Sequence, residues 1–250
     1  MTPLKLPIAY DGTGLVGWQR QRMGTSVQAL LEDALAILDD GPVIVTGAGR
    51  TDAGVHALGQ VASVTLRRDI EPAVVVRAVN MRLPSAVRVL AAECTAPEFH
   101  ARFDARTKSY RYRIWNGPVL DPFERHYVWF VPAPLDAAAM NEAARRLVGC
   151  YDFAAFQGSG SDAETTVRTM LSASVAKTER TASAQLVTFE VTGDGFLRHM
   201  VRTMVGCLVE VGRGRREPAW VSDVVATRSR AAAGRTAPAT GLFLVQVAYE

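Results

Sequence analysis

Three glycines, an arginine, a carboxylate and an imidazole fall within residues 47–57, read as Gly47-Ala48-Gly49-Arg50-Thr51-Asp52-Ala53-Gly54-Val55-His56-Ala57. Two apolar, β-branched runs flank this segment, at residues 43–45 and 61–64, so the pattern predicts strand, loop, strand. Glycine at this density admits turns closed to other residues and allows a ligand close to the backbone. A carboxylate displayed there suits nucleophilic attack or proton transfer. The same residues also suit a plainer arrangement, an Arg50–Asp52 surface pair closing a tight turn.

Two further clusters carry chemistry. Residues 100–113 hold Arg102, Arg106, Lys108, Arg111 and Arg113 against one acid, Asp104. In Tyr110-Arg111-Tyr112-Arg113 the aromatic and basic residues alternate at strand period, giving one aromatic and one cationic face. Such a strand meets the needs of base stacking and phosphate binding. It equally fits a sheet strand that buries its tyrosines and solvates its arginines. The third cluster is a helix expected over residues 196–211, with Phe196, Met200, Met204, Leu208 and Val211 on an apolar stripe. Arg198 and Arg202 then stand four apart on another face, beside His199 and Thr203, a spacing that favours a nearby phosphate or carboxylate. The methionines read as core filler. His56, His100, His126 and His199 are scattered without metal-ligand spacing, so no metal is expected.

The elements that must position these clusters follow from periodicity. A short strand at residues 6–10 leads into the turn Asp11-Gly12-Thr13-Gly14, then a helix at residues 27–38 with Thr25 and Gln28 as its capping box. A helix at 74–81 and a strand at 88–94 complete a first set. Strands at 108–115 and 127–131, a helix at 137–148 ended by Gly149, and strands at 170–177 and 185–192 make a second. The helix at 196–211, a shorter one at 219–226 and a strand at 241–249 close the chain. Residues 158–162 and 231–240 read as mobile loops. The pattern describes an α+β protein of two domains, 1–104 and 105–250, each with an antiparallel or mixed sheet flanked by helices.

Composition narrows the class. A chain of 250 residues with 48% hydrophobic and 21% charged residues is ordinary for a globular protein. No run is apolar for long enough to span a bilayer, and no signal-peptide pattern opens the chain, so a cytoplasmic protein without membrane contact is expected. Cys94, Cys150 and Cys207 support neither a disulfide framework nor a thiolate zinc site and read as buried, inert thiols. The net charge of +3 is too small to mark a nucleic-acid binder, but Lys5, Lys108 and Lys177 are the only lysines among 28 basic residues. Arginine grips phosphate bidentately and stacks on bases, although a GC-rich genome would give the same bias.

With these clusters in place, the chain resembles the tRNA pseudouridine synthase A family. The resemblance is carried by Tyr10-Asp11-Gly12, Gly17-Trp18-Gln19-Arg20-Gln21 and Gly49-Arg50-Thr51-Asp52-Ala53-Gly54-Val55-His56-Ala57. It continues through Phe99-His100-Ala101-Arg102-Phe103, Tyr110-Arg111-Tyr112, Asp152-Phe153 and Thr165-Thr166-Val167-Arg168. Gly195-Phe196, His199-Met200-Val201-Arg202 and Ala239-Thr240-Gly241-Leu242 complete it in family order over nearly the whole chain. The resemblance implies the pseudouridine synthase fold with a central basic cleft, acting as a homodimer. The implied reaction is isomerisation of uridine to pseudouridine at positions 38, 39 and 40 of the tRNA anticodon stem-loop, without cofactor.

Residue by residue, Asp52 matches the catalytic aspartate, Tyr110 the active-site tyrosine, Arg202 the basic partner of the aspartate, and Arg50 the arginine that helps displace the target base. Arg20, Gln21, Thr51, His56, Arg102, Arg168, Arg198 and His199 match positions expected to bind the RNA. Glu164, Thr203 and Arg198 depart from the residues frequent at those positions, which bears on phosphate contacts and tRNA preference more than on the chemistry. A non-catalytic tRNA-binding module using the same basic residues is the rival class. A glycoside-type hydrolase pairing Asp11 with Asp52 is a third.

Overall fold

Ser26, rather than Thr25, caps the first helix, its side chain accepting from the Ala29 amide at 3.3 Å. Such details come from a computed structural model, which describes residues 1–160 and 163–250; Ser161 and Asp162, at the end of the loop read at 158–162, lie outside the described residues. In chain order the elements are β1 (Thr2–Tyr10), α1 (Val27–Leu38), β2 (Thr46–Gly47), β3 (His56–Leu66), α2 (Pro72–Asn80), β4 (Val87–Val89) and β5 (Glu93–Cys94). Then follow β6 (Thr107–Asn116), β7 (Trp129–Val131), α3 (Ala137–Arg145), β8 (Gly149–Asp152), β9 (Val167–Thr181) and β10 (Ala184–Gly193). The last are α4 (Met200–Gly212), α5 (Trp220–Thr227) and β11 (Leu242–Ala248). The fold is α+β with mixed strand pairing. The chain divides into two compact units, Met1–Arg106 with Phe243–Glu250, and Thr107–Leu242.

In the first unit the strands run β4-β1-β3-β11, with β2 also on β3 and β5 on β1. Leu4, Leu6 and Ile8 of β1 and Ala62, Val64 and Leu66 of β3 share the buried face, and α1 adds Val27, Leu31 and Leu35. Each buried leucine contributes about 1.5–3 kcal/mol relative to exposure. The β1–β3 register shifts between Ile8 and Tyr10, so Tyr10 pairs with Ala57 at the end of the glycine-rich loop. The closing strand, grouped by the chain pattern with the second domain, instead lies parallel to β3, with Phe243 opposite His56 and Leu244 opposite Ala57. Sequence distance hid that pairing.

In the second unit the order β6-β10-β9-β8 is antiparallel throughout, and β7 adds to β6 in parallel. Asp136 caps α3 by accepting from the amides of Ala138 and Ala139, while its own amide donates to the Gly212 carbonyl at the end of α4. Helix α4 is buried almost all round, which marks it as the central helix of this unit.

Several expectations are corrected. Residues 43–45 form no strand, because the Val45 amide donates to Glu32 and its carbonyl accepts from Gln28, so helix side chains take the groups a strand partner would need. Gln28 is thereby committed and makes no capping box. The strand expected at 88–94 breaks into β4 and β5, which pair with different parts of β1. The helix expected from Phe196 starts at Met200, because His199 has φ +61°, a left-handed conformation that no α-helix passes through. Arg198 therefore precedes the helix that carries Arg202. Residues 231–240 are held by hydrogen bonds to α4. Cys94 and Cys150 are exposed and only Cys207 is buried, where burial pushes its thiol up to about 11.

One buried carboxylate ties α1 to the end of β3. Asp39 is 2% exposed, and its Oδ1 accepts from the amides of Arg67 (2.8 Å) and Arg68 (2.9 Å). Burial alone would raise its pKa, but those amides and the Arg67 guanidinium outweigh burial and hold the carboxyl below the usual range. The stabilisation is therefore complete above the unfolded carboxyl pKa of about 3.9 and is lost as pH falls through the lower folded value. Urea denaturation of Asp39→Asn should show reduced stability at neutral pH and a shallower loss of stability on acidification than in the wild type.

Candidate active site

The loop that bears Asp52 is pressed against residues 11–18. A Cβ at Gly12 would overlap the Val55 carbonyl, and one at Gly17 (φ +100°) would lie 2.5 Å from the Thr51 carbonyl oxygen. The contact is hydrogen-bonded along its length. The Trp18 amide donates to the Thr51 carbonyl (3.0 Å) and the Gly54 amide to the Leu15 carbonyl (3.3 Å), while the Val55 amide closes a turn within the loop on the Asp52 carbonyl (3.1 Å). Gly47 packs on the indole of Trp18. The glycines of the motif and those of the preceding turn are therefore two halves of one backbone contact.

Buried side chains complete the frame. The Tyr10 and Thr51 hydroxyls lie 2.7 Å apart, and Gln60 Nε2 donates to the Gly49 carbonyl at 2.9 Å. Burial pushes the Tyr10 phenol up to about 12, against the smaller opposing effects of its bonds to Thr51 and Gln60. His56 is 1% exposed and stacks on Phe243 at 4.6 Å. Its Nδ1 accepts from the Gly12 amide at 3.0 Å, so the 3.1 Å approach of Asp11 Oδ1 is no ion pair while the imidazole is neutral. Thr51 and His56 thus direct polar atoms into the loop's support. Asp52 is half-buried and Arg50 exposed.

The remaining residues of the first unit lie apart from this frame. Arg20 donates to Glu32 (2.8 Å) and Asp33 (2.7 Å), which fasten it to α1, and Gln21 donates to the Val16 carbonyl. Arg102 lies over the Phe103 ring at 5.5 Å. A separate groove lined by Pro3, Asp39, Ile44, Thr65, Arg67 and Phe99 includes none of the expected site residues.

In the second unit, Tyr110 and Tyr112 share one face of β6, and both are buried. Tyr110 is 8% exposed and meets Phe196 edge-on at 4.9 Å. Tyr112 is fully buried, with its hydroxyl donating to the Pro238 carbonyl at 2.7 Å. On the other face, Arg111 pairs with Glu190 (2.7 Å) directly across the strand pair, and Arg113 pairs with Glu124 (2.9 Å). Arg202 is half-buried on α4, its Nε donating to the Ala237 carbonyl at 2.8 Å. Arg198 donates to the carbonyls of Ser159 and Gly160, and the missing side chain of Gly158 leaves room for His199. Arg168 donates to the Thr165 carbonyl at 2.9 Å and runs beside Gly195. Asp52 belongs to the first unit, and Tyr110 and Arg202 to the second.

Sequence reasoning missed Tyr10, Trp18 and Gln60 as supports of the loop. Only the glycines at 12 and 17, spaced to meet a second glycine-rich segment, hinted at them.

A family model described as tRNA pseudouridine synthase matches residues 8–104 and 143–250. The chain belongs to the tRNA pseudouridine synthase family, whose members are isomerases. It is 47% identical to a protein named tRNA pseudouridine synthase A from Syntrophotalea carbinolica, over 100% of this chain and 97% of that one. Proteins of the same name from Methylacidiphilum infernorum (46% identical; 98% of this chain, 94% of that one) and Pelobacter propionicus (45%; 100% of both) are also similar. Asp52 and Arg202 lie inside the segments matched by the family model, and Tyr110 lies between them.

The close approach at Gly17 yields a test of the frame. Gly17→Ala combines a positive φ with a clash at the Thr51 carbonyl, and should destabilise by at least about 1 kcal/mol. Hydrogen exchange should show the loss of protection concentrated at the Trp18 and Gly54 amides.

Proposed function

We propose that this chain converts uridine to pseudouridine in tRNA, at positions 38, 39 and 40 of the anticodon stem-loop. Membership of the family carries the reading. The loop supports it: Asp52 is the one carboxylate of residues 47–57, and the polar neighbours Thr51 and His56 are committed to holding that loop. The reaction breaks the N1–C1′ glycosidic bond, turns the uracil and rejoins it through C5. A carboxylate serves either as nucleophile at C1′, leaving a covalent sugar intermediate that C5 of the uracil then displaces, or as base at C2′, opening a glycal to which C5 adds as C2′ regains its proton. In both routes C5 then gives up its proton to a base and N1 takes one up.

In this reading Asp52 is that carboxylate and Arg202 its cationic partner. Tyr110 stacks on the uracil and keeps it in place while it is detached. Arg50, exposed beside Asp52 in sequence, fills the gap left by the extruded base, whose unstacking costs a few kcal/mol. Arg20, Gln21, Arg102, Arg168, Arg198 and His199 contact the RNA. Thr51 and His56 are assigned to supporting Asp52. The enzyme works as a homodimer in the cytoplasm, without metal or organic cofactor.

The test is direct. Unmodified tRNA transcript is incubated with the protein, and pseudouridine is mapped by carbodiimide adduction and primer extension. Asp52→Asn should lower turnover at least about 10³-fold, the scale of losing a reacting group, while tRNA affinity stays within about threefold. Turnover retained in Asp52→Asn would remove Asp52 from the mechanism. Salt-sensitive binding without any product from the wild type would mark a binding module instead.

A further inference from the structure

Gly206 sits in the middle of α4, where glycine costs a helix about 1 kcal/mol relative to alanine. Residues 230–241 supply the reason. A Cβ at Gly206 would overlap the Arg235 carbonyl oxygen, and one at Gly234 would lie 3.0 Å from the Gly206 carbonyl carbon. The segment is thus a strap laid directly on the helix backbone. The Gly234 amide donates to Cys207 Sγ at 3.2 Å. Arg230 closes the strap on itself, donating to the Gly234 carbonyl (3.1 Å) and the Thr236 hydroxyl (2.9 Å).

The strap ends on Arg202. Ala237 is fully buried; its amide donates to the Arg202 carbonyl at 3.0 Å, and its carbonyl accepts from Arg202 Nε at 2.8 Å. A bond at Nε fixes the plane in which both terminal nitrogens of a guanidinium lie. The depth at which the strap rests on α4 therefore sets the direction of the Arg202 fork.

We propose that Gly206 and Arg230 are positioning residues for Arg202, holding residues 230–241 at the depth that aims its guanidinium at the reacting uridine. This rests on the reading above, in which Arg202 takes part in the reaction. A side chain at 206 lifts the strap from the helix side, and loss of the Arg230 guanidinium loosens it from the outer side. Neither change touches Arg202 itself.

Gly206→Ala and Arg230→Ala are compared with the wild type and Arg202→Lys, as intact enzymes on unmodified tRNA transcript. Arg230→Ala covers the case in which Gly206→Ala folds poorly. Each strap variant should lower kcat about tenfold with KM within about twofold, the pattern of a misaimed transition-state group. Combined with Arg202→Lys, Arg230→Ala should add no further loss, because both act through one side chain. In protein labelled with nitrogen-15 arginine, the Arg202 Nε–H resonance should shift in both strap variants. Unchanged kcat, or full additivity with Arg202→Lys, would overturn the positioning role. An unmoved resonance would overturn the strap's grip on Arg202. Full turnover in Arg202→Lys alone would overturn the reading of Arg202 and the strap's part in the reaction with it. That case is recognisable because the strap variants would still move the resonance.

Discussion

Close approach of two stretches of backbone is the constraint on which the Asp52 loop depends. Val55 and Thr51 bring their carbonyls against Gly12 and Gly17, and a side chain at either glycine would force the segments apart. Three supports of the loop require that close approach. The Trp18 amide reaches the Thr51 carbonyl, the Gly12 amide reaches His56, and the Tyr10 hydroxyl reaches Thr51 only because the segments touch.

Two groups of arginines differ in whether a carboxylate is among what they hold. Arg20, Arg67, Arg111 and Arg113 pair with carboxylates, which offset their charge. Arg168, Arg198 and Arg230 are bonded to backbone carbonyls, which fix the planar fork without offsetting it. A small net charge therefore does not describe the surface. The alternation of tyrosine and arginine on β6 illustrates the difference: its cationic face is occupied by Glu190 and Glu124, and its aromatic face is core except at the edge of Tyr110.

Much of this was legible in the chain, and the failures share a cause. The glycine-rich loop, α1, the β9–β10 hairpin and the shared face of Tyr110 and Tyr112 follow from periodicity and turn chemistry, which act over a few residues. The start of α4 did not, because His199 adopts a left-handed conformation in a segment of helical pattern, with Gly158 making room for it from far away in sequence. Residues 43–45 have strand composition, but Gln28 and Glu32 satisfy their backbone from α1. The strap over α4 read as a mobile loop because its partners, Arg202, Gly206 and Cys207, belong to another element. The glycine inside an apolar helix was the one local sign of it.

The placement of β11 has a consequence for the loop that bears Asp52. Residues 107–242 form one uninterrupted stretch of chain, whereas the first unit is assembled from two, Met1–Arg106 and Phe243–Glu250. His56 and Ala57, at the end of the Asp52 loop, are the residues that receive that last strand. The end of the Asp52 loop therefore has a support that no local sequence supplies, since Phe243 stacks on His56.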